Sequence, residues 1–475
     1  MAVEIKKASP IKYVHYAVVL FLCFIFPILS PLGALSPQGM ALIGAFIGAV
    51  YGWTMIDMLW PSFAGLLSMI WFLGANQVAS MAFGNTTVIM LMFSFIIMGC
   101  LTDTGAVNWL INKLLSLKFF LGKPWVTIGF FFFVAYLIAG FNSVIMALIL
   151  IPIIRQLFKT IGVEPYTKLP ALFLIGVMYC ILMGQVTFPF LGVSFTLLAA
   201  YSAMFQTSMN FAAYLAFTLP LSIVMIFIYI AIMRFVFRVD VTPFKNVTPE
   251  TLGECQKMTK DQRNAFIIAI IFFASLILSS LHMLGPIYAL LNKLTVFGIA
   301  TAVLFVTLKM KMANGKPITN PDVATPWNIV LITALVMVVS SCMNNPEFGI
   351  RETISMLIKP MMGLSPYVFI VSLLTICVVL THFATNMVLC IIMMPFMVTF
   401  ATSVGMNPTG AVALLFFSCQ MSLATPGGGA PVSAIFYDVT DYIKVGQMGK
   451  YAVIAIIFLF LGDVILGLTW ASIIF

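Results

Sequence analysis

Residues 381–395 read THFATNMVLCIIMMP, and residues 422–434 read SLATPGGGAPVSA. Both stretches set hydroxyls, an amide or glycines into sequence that is otherwise apolar. Thr385 and Asn386 carry the oxygen atoms that a sodium ion takes as ligands. Carbonyls released where a helix unwinds add to them, and the amino ends of half-helices favour an anion. The glycines of 426–430 let backbone approach a solute closely. The first half holds a counterpart, LIAGFNSVIMALILIP (137–152), with Asn142 and Ser143 at its interruption and Pro152 in the place of Pro395. Asn142, Ser143, Thr385 and Asn386 are therefore candidate ligands for both a cation and a small solute.

A lone Asn in an apolar span is more often a kink bonded to a neighbouring helix. Two matched interruptions favour binding, because irregular backbone at membrane depth is tolerated where it is buried in protein or lines a cavity. Two further residues could move a proton. His382 precedes the second interruption, and Asp463 stands mid-span in LFLGDVILG. An intramembrane acid is a functional candidate by default. For His382 the other reading is a satisfied packing residue, and for Asp463 a bond to a neighbouring helix.

The elements that must position these residues are membrane spans. The chain of 475 residues is 62% hydrophobic and only 8% charged, where a soluble domain carries about 25% charge. Continuous apolar runs long enough to span a bilayer recur from Tyr13 onward. They do not alternate, which excludes a β-barrel. The net charge of +9 sits in short loops between spans, as a cytoplasmic bias places it, and does not point to nucleic acid. The eight cysteines are scattered with no CxxC pair, so they read as packing residues.

The predicted spans are 14–34, 37–55, 58–75 and 86–104, followed by an interfacial piece at 106–118 anchored by Trp109. The run 124–158 breaks at Gly140-Phe141-Asn142-Ser143 and reads as a re-entrant hairpin. The run 169–204 breaks near Gly184-Gln185-Val186-Thr187-Phe188-Pro189, and 211–237 spans fully. A charged linker, 239–263, separates the halves. The order then returns: spans at 264–283, 287–308 and 326–343, an amphipathic piece at 345–360, a hairpin at 365–402, a broken helix at 408–443 and a last span at 447–474. The fold expected is all-α and polytopic, about 11 transmembrane helices plus two re-entrant hairpins in two inverted-topology repeats. Residues 1–35 hold the N-terminal segment and first helix, 36–238 the first repeat and 264–475 the second.

Charge orients this arrangement. With the N-terminus in the cytoplasm and neither hairpin crossing, 20 of the 23 basic residues fall inside; Lys293, Arg351 and Lys359 fall outside. The C-terminus is then external. The first hairpin enters from the cytoplasm and the second from outside.

The frame Thr381, His382, Phe383, Ala384, Thr385, Asn386 and Pro395 resembles the second motif of the divalent anion/sodium symporter family, within the ion transporter superfamily. Ala424-Thr425-Pro426-Gly427-Gly428 is similar to that family's second loop, and FAAYLAFTLPL (211–221), Tyr442-Ile443-Lys444 and Gly449 also resemble it. The sequence departs from the family at Met387, where a hydroxyl is usual, and in the spacing from Asn142 to Pro152, which is one residue longer. The first broken helix reads Thr187-Phe188-Pro189 without the family's proline pair.

The resemblance implies sodium-coupled symport of a small anion such as a dicarboxylate or sulfate. It implies a homodimer in the plasma (inner) membrane and an elevator motion of a transport domain past a scaffold. It adds Thr187, Pro189, Thr425 and Pro426 to the substrate site, and Gly184 and Ala424 to the sodium site. No cofactor is expected beyond the coupling ion. Proton-coupled export of a metabolite or drug, known in the same superfamily, is the second reading. A channel would need a polar stripe along several spans, which is lacking. An intramembrane enzyme would need a nucleophile or an acid pair; Asp438 and Asp441 lie beside Lys444 and read as a solvated face. No P-loop is present, which argues against an ATP-driven pump.

Overall fold

The computed structural model describes residues 10–115, 122–140, 143–189, 192–205, 209–247, 257–279, 286–343, 345–361, 363–425 and 429–475. Among them the secondary structure is helical, with one isolated bridge between Lys311 and Pro317. Six helices there are long and apolar enough to cross a membrane: Thr86–Asp103, Lys168–Thr187, Phe211–Val236, Lys260–Leu278, Asn386–Ser403 and Val445–Ile474. Shorter apolar helices of 10–17 residues accompany them. The chain is an all-α, polytopic membrane protein.

Two compact units draw on both halves of the sequence. The smaller comprises Met1–Ile89, Ala199–Ser208 and Pro326–Gly363. Its helix Pro37–Met55 begins with proline at the first helical position, behind Ser36, whose Oγ accepts from the Gly39 amide at 3.2 Å. Gly39 and Gly52 face their neighbours without room for a side chain. A Cβ would stand 2.0 Å from the Phe348 carbonyl oxygen at the first and 2.4 Å from Pro61 Cγ at the second.

The larger unit comprises Met90–Leu198, Met209–Thr325 and Leu364–Phe475. It holds the interrupted elements. Helices α1 (Pro124–Ala139) and α2 (Ser143–Ile161) form the first hairpin. Then come α3 (Lys168–Thr187), α4 (Gly192–Phe205), whose residues from Ala199 on belong to the smaller unit, and α5 (Phe211–Ala231). The second half supplies α6 (Pro366–Leu380), α7 (Asn386–Ser403), α8 (Pro408–Ser418), α9 (Ala430–Asp438) and α10 (Val445–Gly462). Each expected break thus falls between two helices. Asn142 and Pro426 lie outside the described residues. Pro152 and Pro395 each stand nine residues beyond the first residue of α2 and α7, so the two second arms share one register. That register pairs Ser143 with Asn386.

Two elements differ from expectation. The first span is a helix from Pro10 to Leu20 that continues as a π turn, Phe21–Ile25, and a 3-10 turn, Phe26–Ile28. Pro27 lacks the amide that would carry the helix on. The amphipathic piece at 345–360 is present but divided: a 3-10 turn, Pro346–Phe348, gives way at Gly349, with a left-handed φ of 65°, to the helix Ile350–Ile358 and a 3-10 turn, Lys359–Met361.

Helix α3 is apolar all round, the pattern of a helix enclosed on every side. Of its apolar window 94% is buried, and α1, α2, α5, α8, α9 and α10 surround it. Phe173 on α3 meets Phe131, Phe132, Phe158 and Phe244 at centroid distances of 5.8, 5.5, 5.4 and 5.4 Å. Gly184 lets α1 approach: a Cβ there would lie 2.2 Å from the Tyr136 carbonyl oxygen. The seven described cysteines are all free and buried. At the exposed end of α2, Arg155 pairs with Asp441 at 3.0 Å and donates to the Asp438 carbonyl.

Gly184→Ala tests the closeness of α1 and α3. Backbone on the facing helix cannot swing aside as a side-chain tip can, so overpacking should cost about 1–3 kcal/mol. A fall in the thermal unfolding midpoint of detergent-solubilised protein is expected; an unchanged midpoint would show that the helices stand further apart.

Candidate functional site

Helix α6 ends at Leu380, and the chain turns through Thr381–Thr385 before α7 starts at Asn386. Thr385 is the residue before the first turn, with φ −65° and ψ 137°, a position where threonine normally caps. Here it makes no cap bond, and its buried hydroxyl has no partner among the described residues. The amino end of an 18-residue helix therefore lies buried and without a side-chain cap at this tip, beside a hydroxyl with no partner among the described residues.

Asn386 is 4% exposed and already engaged. Its Oδ1 accepts from Thr381 Oγ1 at 2.7 Å, and its Nδ2 donates to Gln420 Oε1 at 3.0 Å. Thr381 Oγ1 shares its one proton with the Cys419 carbonyl, also at 2.7 Å. Gln420 follows the end of α8, and its Oε1 accepts a second bond, from Gln185 Nε2 on α3 at 2.7 Å. Its own Nε2 is held by the Phe416 carbonyl at 3.1 Å. One amide oxygen thus joins the first broken helix, the second broken helix and the second hairpin tip. No lysine or arginine joins this network among the described residues.

Around it, His382 Nδ1 is bonded to the Val378 carbonyl at 2.8 Å, while Nε2 is buried without a partner among the described residues. Thr425 Oγ1 donates to the His382 carbonyl at 2.5 Å, which ties the second loop to the hairpin tip. The Ala424 carbonyl faces Gly449, 3.0 Å from where a Cβ there would stand. Thr385, Asn386, His382 and Thr425 are therefore brought together.

Other expected residues stand elsewhere. Thr187 bonds the Met183 carbonyl at 2.8 Å and Ser222 Oγ at 2.9 Å, and its own carbonyl accepts from Thr218 at 3.0 Å, in the packing of α3 against α5. Pro189 is buried just beyond that turn, Gly184 lies against Tyr136, and Ser143 is half-buried at the start of α2. Asp463 begins a π turn, Asp463–Gly467, that interrupts the last span. It is fully buried and accepts from Ser418 Oγ at 2.5 Å.

The candidate site residues omit Gln185, Gln420 and Ser418, and Thr381 enters only as part of the motif frame. A signal for the glutamines exists: Gly184-Gln185-Val186-Thr187 and Cys419-Gln420-Met421-Ser422 place each glutamine two residues before a hydroxyl, at matching points of the two broken helices.

Residues 23–313 match the family model described as citrate transporter, CitMHS. The chain belongs to the CitMHS family. That family lies in the ion transporter superfamily, as does the symporter family that the second motif resembles. No curated protein matches the chain. Among solved structures, MtrF of Neisseria gonorrhoeae, described within a class of antimetabolite efflux pumps, is similar with a TM-score of 0.58 and 13% identity, over 97% of this chain and 95% of that one. The YdaH transporter of Alcanivorax borkumensis, described as having an unusual topology, is similar with a TM-score of 0.55 and 11% identity, over 84% of this chain and 88% of that one. At such identities the likeness speaks for the fold. This CitMHS chain is a membrane transporter.

The shared acceptor in this CitMHS chain is testable without a substrate. Gln420→Leu strands the Gln185 and Asn386 amides, and each unmet buried donor costs about 1–3 kcal/mol. Unfolding should occur at a lower temperature, and Gln185→Leu added to it should recover part of the loss. Strictly additive losses from the two single changes would show that the glutamines are not bonded.

Proposed function

We propose that the chain carries a small anion, citrate or a related carboxylate, together with sodium, by secondary active transport. The observation that carries this reading is the Thr385–Asn386 tip, where a hydroxyl without a partner among the described residues and an uncapped helix amino end adjoin a network of three amide side chains. A carboxylate suits the amino end of α7 and the amide and hydroxyl donors. Sodium suits the Thr385 hydroxyl, the Asn386 oxygen and carbonyls of the turn; Asn142 and Ser143 offer the same chemistry at the first hairpin. The family description supports citrate.

Alternating access would expose the first hairpin to the cytoplasm and the second to the outside, with the N-terminus cytoplasmic and the C-terminus external, in the plasma membrane. A homodimer with an elevator motion follows from the family resemblance. Thr187, Pro189, Thr425 and Pro426 would border the solute, and Gly184 and Ala424 would offer backbone to sodium. Proton-coupled export of a small metabolite or drug is the second reading. It draws on Asp463, an acid sealed within the last span.

Proteoliposomes containing the full chain should accumulate labelled citrate under an inward sodium gradient. Asn386→Ala should lower the initial rate at least about tenfold, the equivalent of about 1.4 kcal/mol, with the protein still reconstituted. Uptake that ignores sodium and follows a pH gradient would select the export reading. Sodium-driven uptake that survives in both Asn386→Ala and Asn142→Ala would reduce the tips to structural kinks.

A further inference from the structure

Ser418, Cys419 and Gln420 are consecutive, and each holds a different element. The Ser418 hydroxyl donates to Asp463 Oδ2 at 2.5 Å, the Cys419 carbonyl accepts from Thr381, and Gln420 binds Asn386 and Gln185. The last turn of α8 therefore ties a buried carboxyl in the final span to the hairpin tip. The other carboxyl oxygen, Asp463 Oδ1, is buried with no partner among the described residues. It sits where the final span is already interrupted, in the π turn Asp463–Gly467. Single π turns inside helices are frequent at functional sites.

Among the described residues, the elements that pack against Asp463 bring no cation to it. Helices α5 and α8 and the terminal helix Leu468–Ile474 pack against the π turn and contain no Asp, Glu, Lys, Arg or His. Tyr214 and Tyr229 of α5 donate to the Val186 and Leu172 carbonyls instead. Tyr179, Cys180 and Cys419 are the other titratable side chains near it, and none is a cation. On α10, Lys450 lies 13 residues back, about 20 Å along the axis. A charge sealed in such a place is costly without a partner. A sodium ion needs several oxygens, whereas Oδ1 looks onto Gly467, 3.4 Å from where its Cβ would be, with Leu414 behind. A proton needs one.

We propose that Asp463 is a proton-carrying carboxyl: it holds a proton in this sealed arrangement, releases it to water when α8 separates from the last span, and reports its state through Ser418 to the Gln420–Asn386 network. The chemistry is one O–H bond made or broken, with the proton exchanged with water. The proton sits on Oδ1, the oxygen without a partner among the described residues, while Oδ2 accepts from Ser418; its loss turns Oδ2 into a charged acceptor and strengthens that bond. The α8 terminus then has two hydrogen-bonding states. This rests on the transporter reading but on neither sodium nor citrate.

Infrared difference spectra of the reconstituted full chain, recorded between acid and alkaline pH, test it. The carbonyl stretch of a protonated carboxyl should vanish on alkalinisation, be missing in Asp463→Asn and be shifted in Ser418→Ala. In proteoliposomes at a fixed sodium gradient, an imposed pH gradient should change labelled citrate uptake several-fold in the wild type and leave it unchanged in Asp463→Asn. A band that persists in Asp463→Asn, or no band at all, overturns the proposal, as does an unaltered response of that variant to the pH gradient. Should Asp463→Asn fail to reconstitute, Ser418→Ala decides: a shifted band supports the assignment and an unshifted one overturns it. An intact band with no citrate uptake counts against citrate and leaves the proton site standing.

Discussion

Gln420 Oε1 accepts from two amides at once, one on the first broken helix and one on the second hairpin tip. The rest of the larger unit answers the need behind that arrangement. A helix that stops at membrane depth frees carbonyls and amides that lipid cannot satisfy. Here the freed groups are met by protein: Thr381 spans to the Cys419 carbonyl, Thr425 to the His382 carbonyl and Tyr214 to the Val186 carbonyl. Only after those bonds are counted do the exceptions stand out. Thr385, His382 and Asp463 keep buried polar atoms without partners among the described residues, as do Tyr136, Tyr179 and Ser340. Exceptions of that kind in an otherwise satisfied interior are where a solute or ion has something to gain.

Enclosure makes the network stiff. Helix α3 can sit amid six neighbours because glycine faces them where they come closest, Gly176 against Phe132 and Tyr229 and Gly184 against Tyr136. Gln185 is one residue from Gly184, so its side chain starts from backbone that cannot shift without moving α1. The clasp between Arg155 and Asp441 is of another kind. Both side chains are near half exposed, and such pairs contribute about 0–1 kcal/mol. It marks a contact between α2 and the end of the second broken helix without fixing it.

The sequence showed the helices and their interruptions because both are local facts. Apolar runs set the spans, and Gly140, Pro189 and the glycines after Pro426 punctuate them. The shared proline register of α2 and α7 is also visible in the residues alone. What was not legible depends on distance. Gln185 and Gln420 lie 235 positions apart, and nothing in either span says that one accepts from the other. Asp441 looked like an ordinary solvated acid beside Lys444 because its partner, Arg155, is 286 positions away. The first span was read too long because hydrophobicity does not register the amide missing at Pro27. Asn386 was legible as a polar residue in the right place, but not as one whose oxygen and nitrogen are already committed.

The burial of the cysteines has a practical side. A thiol sealed in apolar surroundings is inert toward reagents that work from water, and all seven described cysteines are so placed; Cys255 lies outside the described residues. Among the described residues the native chain is thus close to a silent background for thiol labelling. A reporter cysteine set at either hairpin tip can be read against it with water-soluble maleimides, without first stripping the protein of residues that fill its core.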